Sequence, residues 1–380
     1  MVRTTSNPLL VSVKLVRALL LAIGVTLLVG YAASAEGIDI TQLKADAQKG
    51  YASRQIELAA AYFTGNGVTQ DAKQAAYWYQ KAAEAGDPEA ENEIGFFYQA
   101  GIGVPVDQAR ALHWYQLAAA SGLTRAKVNL GVVYVWGLGV AKDEDLAMQF
   151  FREAASRGDG AAASYLGDLY YFGIGVKQDK AAAETWYKTG AQFHDPVAAY
   201  NLGTLFSVDA DHPHDLRKAE AFLRSSAADG YIPAIHSVGL LLVNHPDLAT
   251  SPQEGPSLLE TAASAGYWKS SVVLGALARD GKGVPADSKA AYLHFRTAVL
   301  QGGELAMSLV KYDLATLAKR LGTQQVGALD SDANTWYRLH RTPLLFVNKD
   351  SDKRQRFPAS ALAVSTAGLH AGQLLYVPAS

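Results

Sequence analysis

Glycine recurs along this chain at a spacing of 36 residues. The repeated glycines are Gly50, Gly86, Gly122, Gly158, Gly230, Gly266 and Gly302, and His194 occupies the one remaining place. The register from Tyr51 to Gly302 contains seven units and no insertion or deletion. A fixed period of this length is typical of repeat architectures, in which each unit packs mainly against its neighbours. We therefore expect a stack of seven similar structural units.

Each unit is predicted to contain two helices separated by a glycine turn. In the first unit, Leu58, Ala61 and Tyr62 follow helical spacing, and the helix is expected to stop at the turn Gly65–Val68. A short acidic or hydroxyl side chain then recurs where the second helix should begin, which is typical of an N-cap. This column contains Asp71, Asp107, Asp143, Asp179, Asp215, Ser251 and Asp287.

Small residues recur in the middle of both predicted helices. Glycine inside a helix costs roughly 1 kcal/mol relative to alanine, so a repeated helical glycine needs a packing reason. The first-helix column contains Gly95, Gly131, Gly167, Gly203, Gly239 and Gly275, with Ala59 in the first unit. The second-helix column contains Ala75, Ala111, Ala147, Ala183, Ala219, Gly255 and Ala291. We predict that the two columns meet where the paired helices cross.

Residues 126–143 (AKVNLGVVYVWGLGVAKD) and 111–122 (ALHWYQLAAASG) carry a family pattern. The pattern resembles the Sel-one-like repeat (SLR) family, which is related to tetratricopeptide repeats. The resemblance implies an all-α, right-handed α-solenoid of seven helix-turn-helix repeats that brings proteins together. It implies no shared catalytic residue and no cofactor. One secreted branch of this family, linked to β-lactam binding, uses cysteine pairs, and an export-scaffold branch uses a lipid-bearing cysteine; this chain has no cysteine.

The segments outside the repeats suggest export and a distinct C-terminal end. Residues 1–35 combine basic residues with an uncharged stretch from Ala18 to Ala35, which predicts a signal peptide cut after Ala35. The alternative is an uncleaved membrane anchor, the one route by which we expect a membrane to be involved. A lead-in is assigned to residues 36–50 and a capping helix, polar on one side, to residues 303–322. Residues 323–380 form a tail, within which ANTWYRLH at 333–340 resembles a worn second helix; beyond it, the tail is either loosely ordered or lies along the solenoid.

Large aromatic residues interrupt two columns beside the glycine turns. Trp136 and Phe172 precede the first turn glycine of neighbouring units, and Tyr171 and Phe63 belong to the preceding column. Exposed aromatic residues on adjacent repeats can anchor a protein partner. The hypothesis is therefore a partner-binding patch at Phe63, Trp136, Tyr171 and Phe172. The alternative is that these rings fill the groove between repeats.

The stretch SVDADHPHDL at 207–216 interrupts the repeat pattern. Asp215 belongs to the N-cap column, while residues 209–214 replace the usual glycine turn. His212 and His214, together with nearby aspartates and His245 one unit later, offer ligands that Zn²⁺ accepts. The spacing matches no established metal motif, so we favour a rewritten turn and predict no metal site.

Charge and motifs together favour a binding protein over an enzyme. Without residues 1–35, the chain has 31 basic and 36 acidic residues and no basic run, which argues against nucleic acid as a partner. No nucleophile elbow or phosphate-binding glycine loop is present in the sequence. We predict a periplasmic or secreted scaffold that binds protein partners in the cell envelope. The alternatives are a scaffold for envelope polysaccharide export and, less favoured, a β-lactam- or glycan-processing enzyme.

Overall fold

A computed structural model describes residues 39–208 and 215–340, and this part of the chain folds as an all-α solenoid of helical hairpins, as the sequence predicts. The helices are α1 (Ile40–Gln48), α2 (Ala52–Thr64), α3 (Ala72–Glu84), α4 (Pro88–Ala100), α5 (Gln108–Ala120), α6 (Thr124–Trp136), α7 (Glu144–Ala155), α8 (Gly160–Phe172), α9 (Lys180–Gln192), α10 (Pro196–Val208), α11 (Leu216–Ala228), α12 (Ile232–Asn244), α13 (Glu254–Ser264), α14 (Trp268–Asp280), α15 (Ser288–Leu321) and α16 (Thr323–His340). A 3₁₀ turn, Pro246–Leu248, follows α12.

The helix ends confirm the predicted punctuation with one exception. Gly65 ends α2 with φ 78°, a left-handed conformation that glycine adopts without a steric penalty. Asp215 caps α11 by accepting a hydrogen bond from the backbone N–H of Lys218 at 3.0 Å. The prediction for Ser251 is wrong, because α13 begins only at Glu254, where the turn preceding the helix has been rewritten.

The helices form two compact units, described separately. The first unit ends at Phe193 and contains α1 to α9, with one continuous apolar core that runs from Ile56 to Leu169. The second unit begins at His194 and contains α10 to α16. In each unit, the two helices of a repeat pack against each other and against the next repeat, as expected for a solenoid.

The predicted helix crossing is confirmed in both units. A Cβ atom added at Gly95 would lie 3.3 Å from the carbonyl oxygen of Ala111, in the facing column. In the sixth repeat, a Cβ atom at Gly239 would lie 3.0 Å from the carbonyl oxygen of Gly255. The structure adds a contact that the sequence did not reveal: the Tyr115 ring lies over Gly95, 2.9 Å from the same added atom. Glycine is therefore required by a ring from the paired helix as well as by the close backbones.

The C-terminal end of the described chain contains an additional hairpin. Helix α15 is kinked at Gly303 (φ 61°, ψ −138°), so residues 303–321 form a separate helical segment in the place of the predicted capping helix. Helix α16 occupies 323–340, in the segment assigned to the tail, and Asp330 on it accepts a hydrogen bond from Arg296 at 2.6 Å. The exposed surface of this segment includes polar residues such as Lys311 and Lys319, as the sequence predicts, but it also includes the apolar Leu305 and Tyr312.

Three sequence predictions fall outside the described residues: the signal peptide at 1–35, the tail from 341 to 380, and the rewritten turn at 209–214. Among the helices described, none combines the length and apolar character needed to cross a bilayer.

Candidate partner-binding site

The structure separates the four aromatic residues predicted to bind a partner. Phe63 is only 1 % exposed, and its ring centroid lies 5.4 Å from that of Phe97 in the core. Its assignment to a surface patch is therefore wrong. The physical reason is that this repeat position faces the core. Val135, which has the same position two repeats later, is buried as well.

Trp136 lines a small pocket between the third and fourth repeats. It is half-buried at the C-terminal end of α6. The walls come from α6, α7, α8 and the turn after α8, and they are apolar except at one position. The residues that line the pocket are Val132, Val135, Trp136, Phe151, Tyr165, Asp168, Leu169 and Ile174. The pocket has a volume of about 20 Å³, which is close to the space of one water molecule, so it can admit only the tip of a side chain.

Two stacked rings form part of the pocket lining. Phe151 and Tyr165 stack with their centroids 4.9 Å apart and their planes 14° from parallel. Phe151 also lies against Gly131, where an added Cβ atom would come within 2.5 Å of the Phe151 ring. The helix crossing of the third repeat therefore holds Phe151 in place, and Phe151 in turn positions the wall that Tyr165 provides.

Asp168 supplies the carboxylate of the pocket. It is buried on α8, and its Oδ1 atom accepts a hydrogen bond of 2.7 Å from the Tyr187 hydroxyl. Burial raises the pKa of Tyr187 well above its ordinary value, with the nearby Asp168 charge adding to the shift, so the phenol keeps the proton that it donates. The hydrogen bond thus fixes Asp168 in a lining whose exposed surface is almost entirely apolar.

Sequence reasoning missed Asp168, although a signal was present. The same repeat position is occupied by Ala60, Phe96 and Val132 in the first three repeats. An acidic residue in a largely apolar first-helix column breaks the pattern in the way a functional residue does. Asp168 lies four residues before Phe172, away from the glycine turns where the other column breaks occur.

Tyr171 and Phe172 are the last two residues of α8, two and three positions after the pocket residue Leu169. Both are half-buried. Their rings meet edge to face at 4.9 Å, and the Lys180 ammonium lies 5.5 Å from the Tyr171 centroid. They do not line the pocket. The structure therefore brings Trp136 together with Asp168, and it makes Tyr171 and Phe172 a neighbouring pair beside that site.

A buried polar seam runs between first helices of the first unit. Asn129 on α6 donates a hydrogen bond of 2.7 Å to Asn92 on α4, and Asn92 donates to Oε1 of Glu93 at 3.3 Å. The other carboxylate oxygen of Glu93 is buried without a hydrogen-bond partner. Desolvation raises the pKa of Glu93 to about 7. This carboxyl group therefore titrates near neutral pH.

A second buried titratable group lies in the second unit. His236 on α12 shares a hydrogen bond of 2.8 Å with the Ser270 hydroxyl, and its ring lies 4.9 Å from that of Tyr267. Burial lowers the pKa of His236 to about 3, so the imidazole is neutral at physiological pH. Its role is packing rather than charge recognition.

Comparison with known proteins agrees with this arrangement of hairpins. The profile described as "Sel1 repeat" matches residues 55–87, 88–123, 124–159, 160–192, 196–231 and 273–303. The chain belongs to the Sel1 repeat family. The unmatched interval contains α12 and α13, so the sixth hairpin of this Sel1 repeat protein is present although its sequence has diverged.

Solved structures include a relative with the same repeat. A Sel1 repeat protein from Oxalobacter formigenes is 31% identical over 57% of this chain and 89% of its own, with a TM-score of 0.51. A protective antigen of uropathogenic Escherichia coli with an SLR fold is 21% identical over 83% of this chain and 100% of its own, with a TM-score of 0.27. The immunity protein Pa5087 of Pseudomonas aeruginosa is 20% identical over 58% and 81%, with a TM-score of 0.42. No curated protein matches the chain.

Proposed function

We propose that this Sel1 repeat protein is an exported scaffold of the cell envelope, and that a protein partner packs an apolar side chain against Trp136, with only the tip of that side chain in the small pocket. Sel1 repeats generally mediate protein–protein interactions, which supports the general role. The observation that carries the specific proposal is the pairing of Trp136 with the oriented Asp168 carboxylate in one apolar pocket.

The chemistry of the pocket indicates what the partner presents. An aliphatic or aromatic side chain would cover the Trp136 and Ile174 walls and lose its hydration, which is the main favourable term in such contacts. The partner is therefore expected to present an apolar side chain at this point.

The pocket is tested with a matched pair of tryptophan variants. Trp114 is half-buried against the same core as Trp136, but it lies on α5 and does not line the pocket. We expect Trp136→Ala to weaken binding of a captured envelope partner by roughly 30-fold, as loss of a hot-spot aromatic does. Trp114→Ala should retain wild-type affinity at a comparable loss of thermal stability. Equal loss of affinity in the two variants would mean that Trp136 only fills the groove between repeats.

Export is tested independently of the pocket. If residues 1–35 are a signal peptide, the mature chain begins at Glu36 and is released by osmotic shock. Mass spectrometry of the released protein gives its first residue. Recovery of the full-length chain in washed membranes would establish an anchor in place of a cleaved signal.

A further inference from the structure

The part of α15 that follows the kink at Gly303 has an exposed apolar stripe. Leu305, Leu309 and Tyr312 are spaced by four and three residues on the segment of α15 that follows the kink, so they share one helix face. They are 71%, 39% and 75% exposed. The buried face of the same segment points elsewhere. It contains Ala306, Val310, Leu314 and Leu317.

In earlier repeats, the positions of this stripe contact the next repeat. Phe96 and Val132 precede Tyr312 by six and five repeat lengths, and they are 3% and 1% exposed. Val132 lines the pocket together with Tyr165 of the following first helix, so this position points toward the next hairpin. In the second unit the equivalent residues Leu240 and Ala276 are half-buried. Tyr312 therefore occupies a position that a following repeat covers fully or in part.

Leu305 also occupies a position that joins neighbouring repeats. Its equivalents Glu89 and Arg125 belong to adjacent repeats and form an ion pair of 3.5 Å across their boundary. At the end of the described chain, an apolar residue has replaced these charged ones. Among residues 39–208 and 215–340, no hairpin follows α16 to cover it.

We propose that residues 341–380 of the same chain pack on the stripe formed by Leu305, Leu309 and Tyr312. The chain continues directly from His340, the last residue of α16, and the continuation is longer than one 36-residue repeat. It contains two apolar runs, LLFV at 344–347 and LLYV at 374–377. The first run begins four residues after His340, within roughly 14 Å of it even if fully extended.

The tether favours this segment over a second copy of the protein as the occupant. A segment joined to its binding surface by a short flexible linker has an effective concentration on the order of millimolar, far above ordinary protein concentrations. Covering exposed apolar side chains is favourable in proportion to the area removed from water. This contact lies in the second unit and does not depend on the proposed function of the pocket in the first.

The absence of cysteine in the chain permits a direct test by crosslinking in the full-length protein. Thr316 lies one turn beyond Tyr312, on the same side of the helix as the stripe. Lys311 is also exposed, and it lies about 140° from Thr316 around the helix axis. Thr316→Cys or Lys311→Cys is paired with Asn348→Cys or Gln373→Cys, next to the two apolar runs. We expect a short bismaleimide to link Thr316→Cys to at least one tail cysteine on the order of tenfold more efficiently than Lys311→Cys, which reports the tether alone.

A further variant separates docking from proximity. Adding Leu305→Ser and Tyr312→Ser to the Thr316→Cys proteins should reduce the yield to that of the Lys311→Cys control. Both side chains are exposed, so the helical circular dichroism should not change. Equal yields from Thr316→Cys and Lys311→Cys would overturn the proposal. Crosslinks found only between two chains would do so as well, by assigning the stripe to self-association.

Discussion

Replacing Gly167 by alanine is expected to destabilise the first unit by about 2 kcal/mol, although alanine is the better helix former. An added Cβ atom at Gly167 would overlap the ring of Tyr187, which is itself buried and hydrogen-bonded to Asp168. The ring cannot move without breaking that bond or displacing neighbouring core residues. Urea unfolding followed by tryptophan fluorescence measures the change.

Gly327 provides the matched control for Gly167. It lies inside α16, and an added Cβ atom there would meet no atom within 4 Å. Gly327→Ala should therefore stabilise the protein by up to about 1 kcal/mol through helix propensity alone. Opposite signs for the two glycines are the expected result. If both substitutions stabilised the protein, the close crossing of α8 and α9 would be contradicted.

Glu93→Gln is expected to remove a pH dependence of folding stability. The pKa of Glu93 rises from 4.5 to about 7 on folding, so the folded protein binds more protons than the unfolded chain between these values. In the wild type, the contribution of Glu93 protonation to the free energy of unfolding is therefore complete below pH 4.5 and decreases as the pH rises. Above pH 7 this contribution, roughly 3 kcal/mol, is lost. The glutamine variant carries no charge and should lack this loss.

The measurement is the difference in unfolding free energy between Glu93→Gln and wild type, compared at two pH values. Any cost of an imperfectly bonded glutamine amide is the same at pH 5 and pH 8, so it cancels. We expect Glu93→Gln to gain about 2 to 3 kcal/mol relative to wild type between these conditions. Glu57 has the same repeat position but is partly exposed and pairs with Arg54 at 2.7 Å. Glu57→Gln should show little change, and an equal gain in both variants would refute the burial argument.

The repeat pattern around Glu93 explains why the sequence alone does not reveal that its carboxyl group is buried. Glu93 stands at the repeat position occupied by Asn129 one repeat later, and Asn129 bonds to the preceding Asn92. The corresponding residue in the repeat before Glu93 is Glu57, which is partly exposed and pairs with Arg54. A glutamate on a first helix reads as a solvated residue until the neighbouring helices are placed around it.

At the candidate site, too, the sequence identified residues whose burial only the structure could assign. Trp136 was found because it interrupts a column beside a turn, and the structure places it on a pocket. Phe63 was chosen by the same reasoning and is in the core. Both are large aromatic residues near the end of a first helix. They belong to adjacent columns, and the column of Phe63 and Val135 points into the core. The repeat period identifies both columns, but only the packed structure shows which of them faces the core.

Local, repeated interactions made the helices predictable from sequence. A glycine at the end of α2 and an aspartate at the start of α3 act through backbone groups a few residues away, so their effects are visible in the sequence itself. The spacing of small residues also determined where paired helices cross. Contacts between hairpins decided the rest: the Asp168 carboxylate in an apolar pocket, the desolvated Glu93, and the exposed stripe at Leu305 and Tyr312. Burial and desolvation depend on atoms distant in the chain, and therefore only the tertiary structure could assign them.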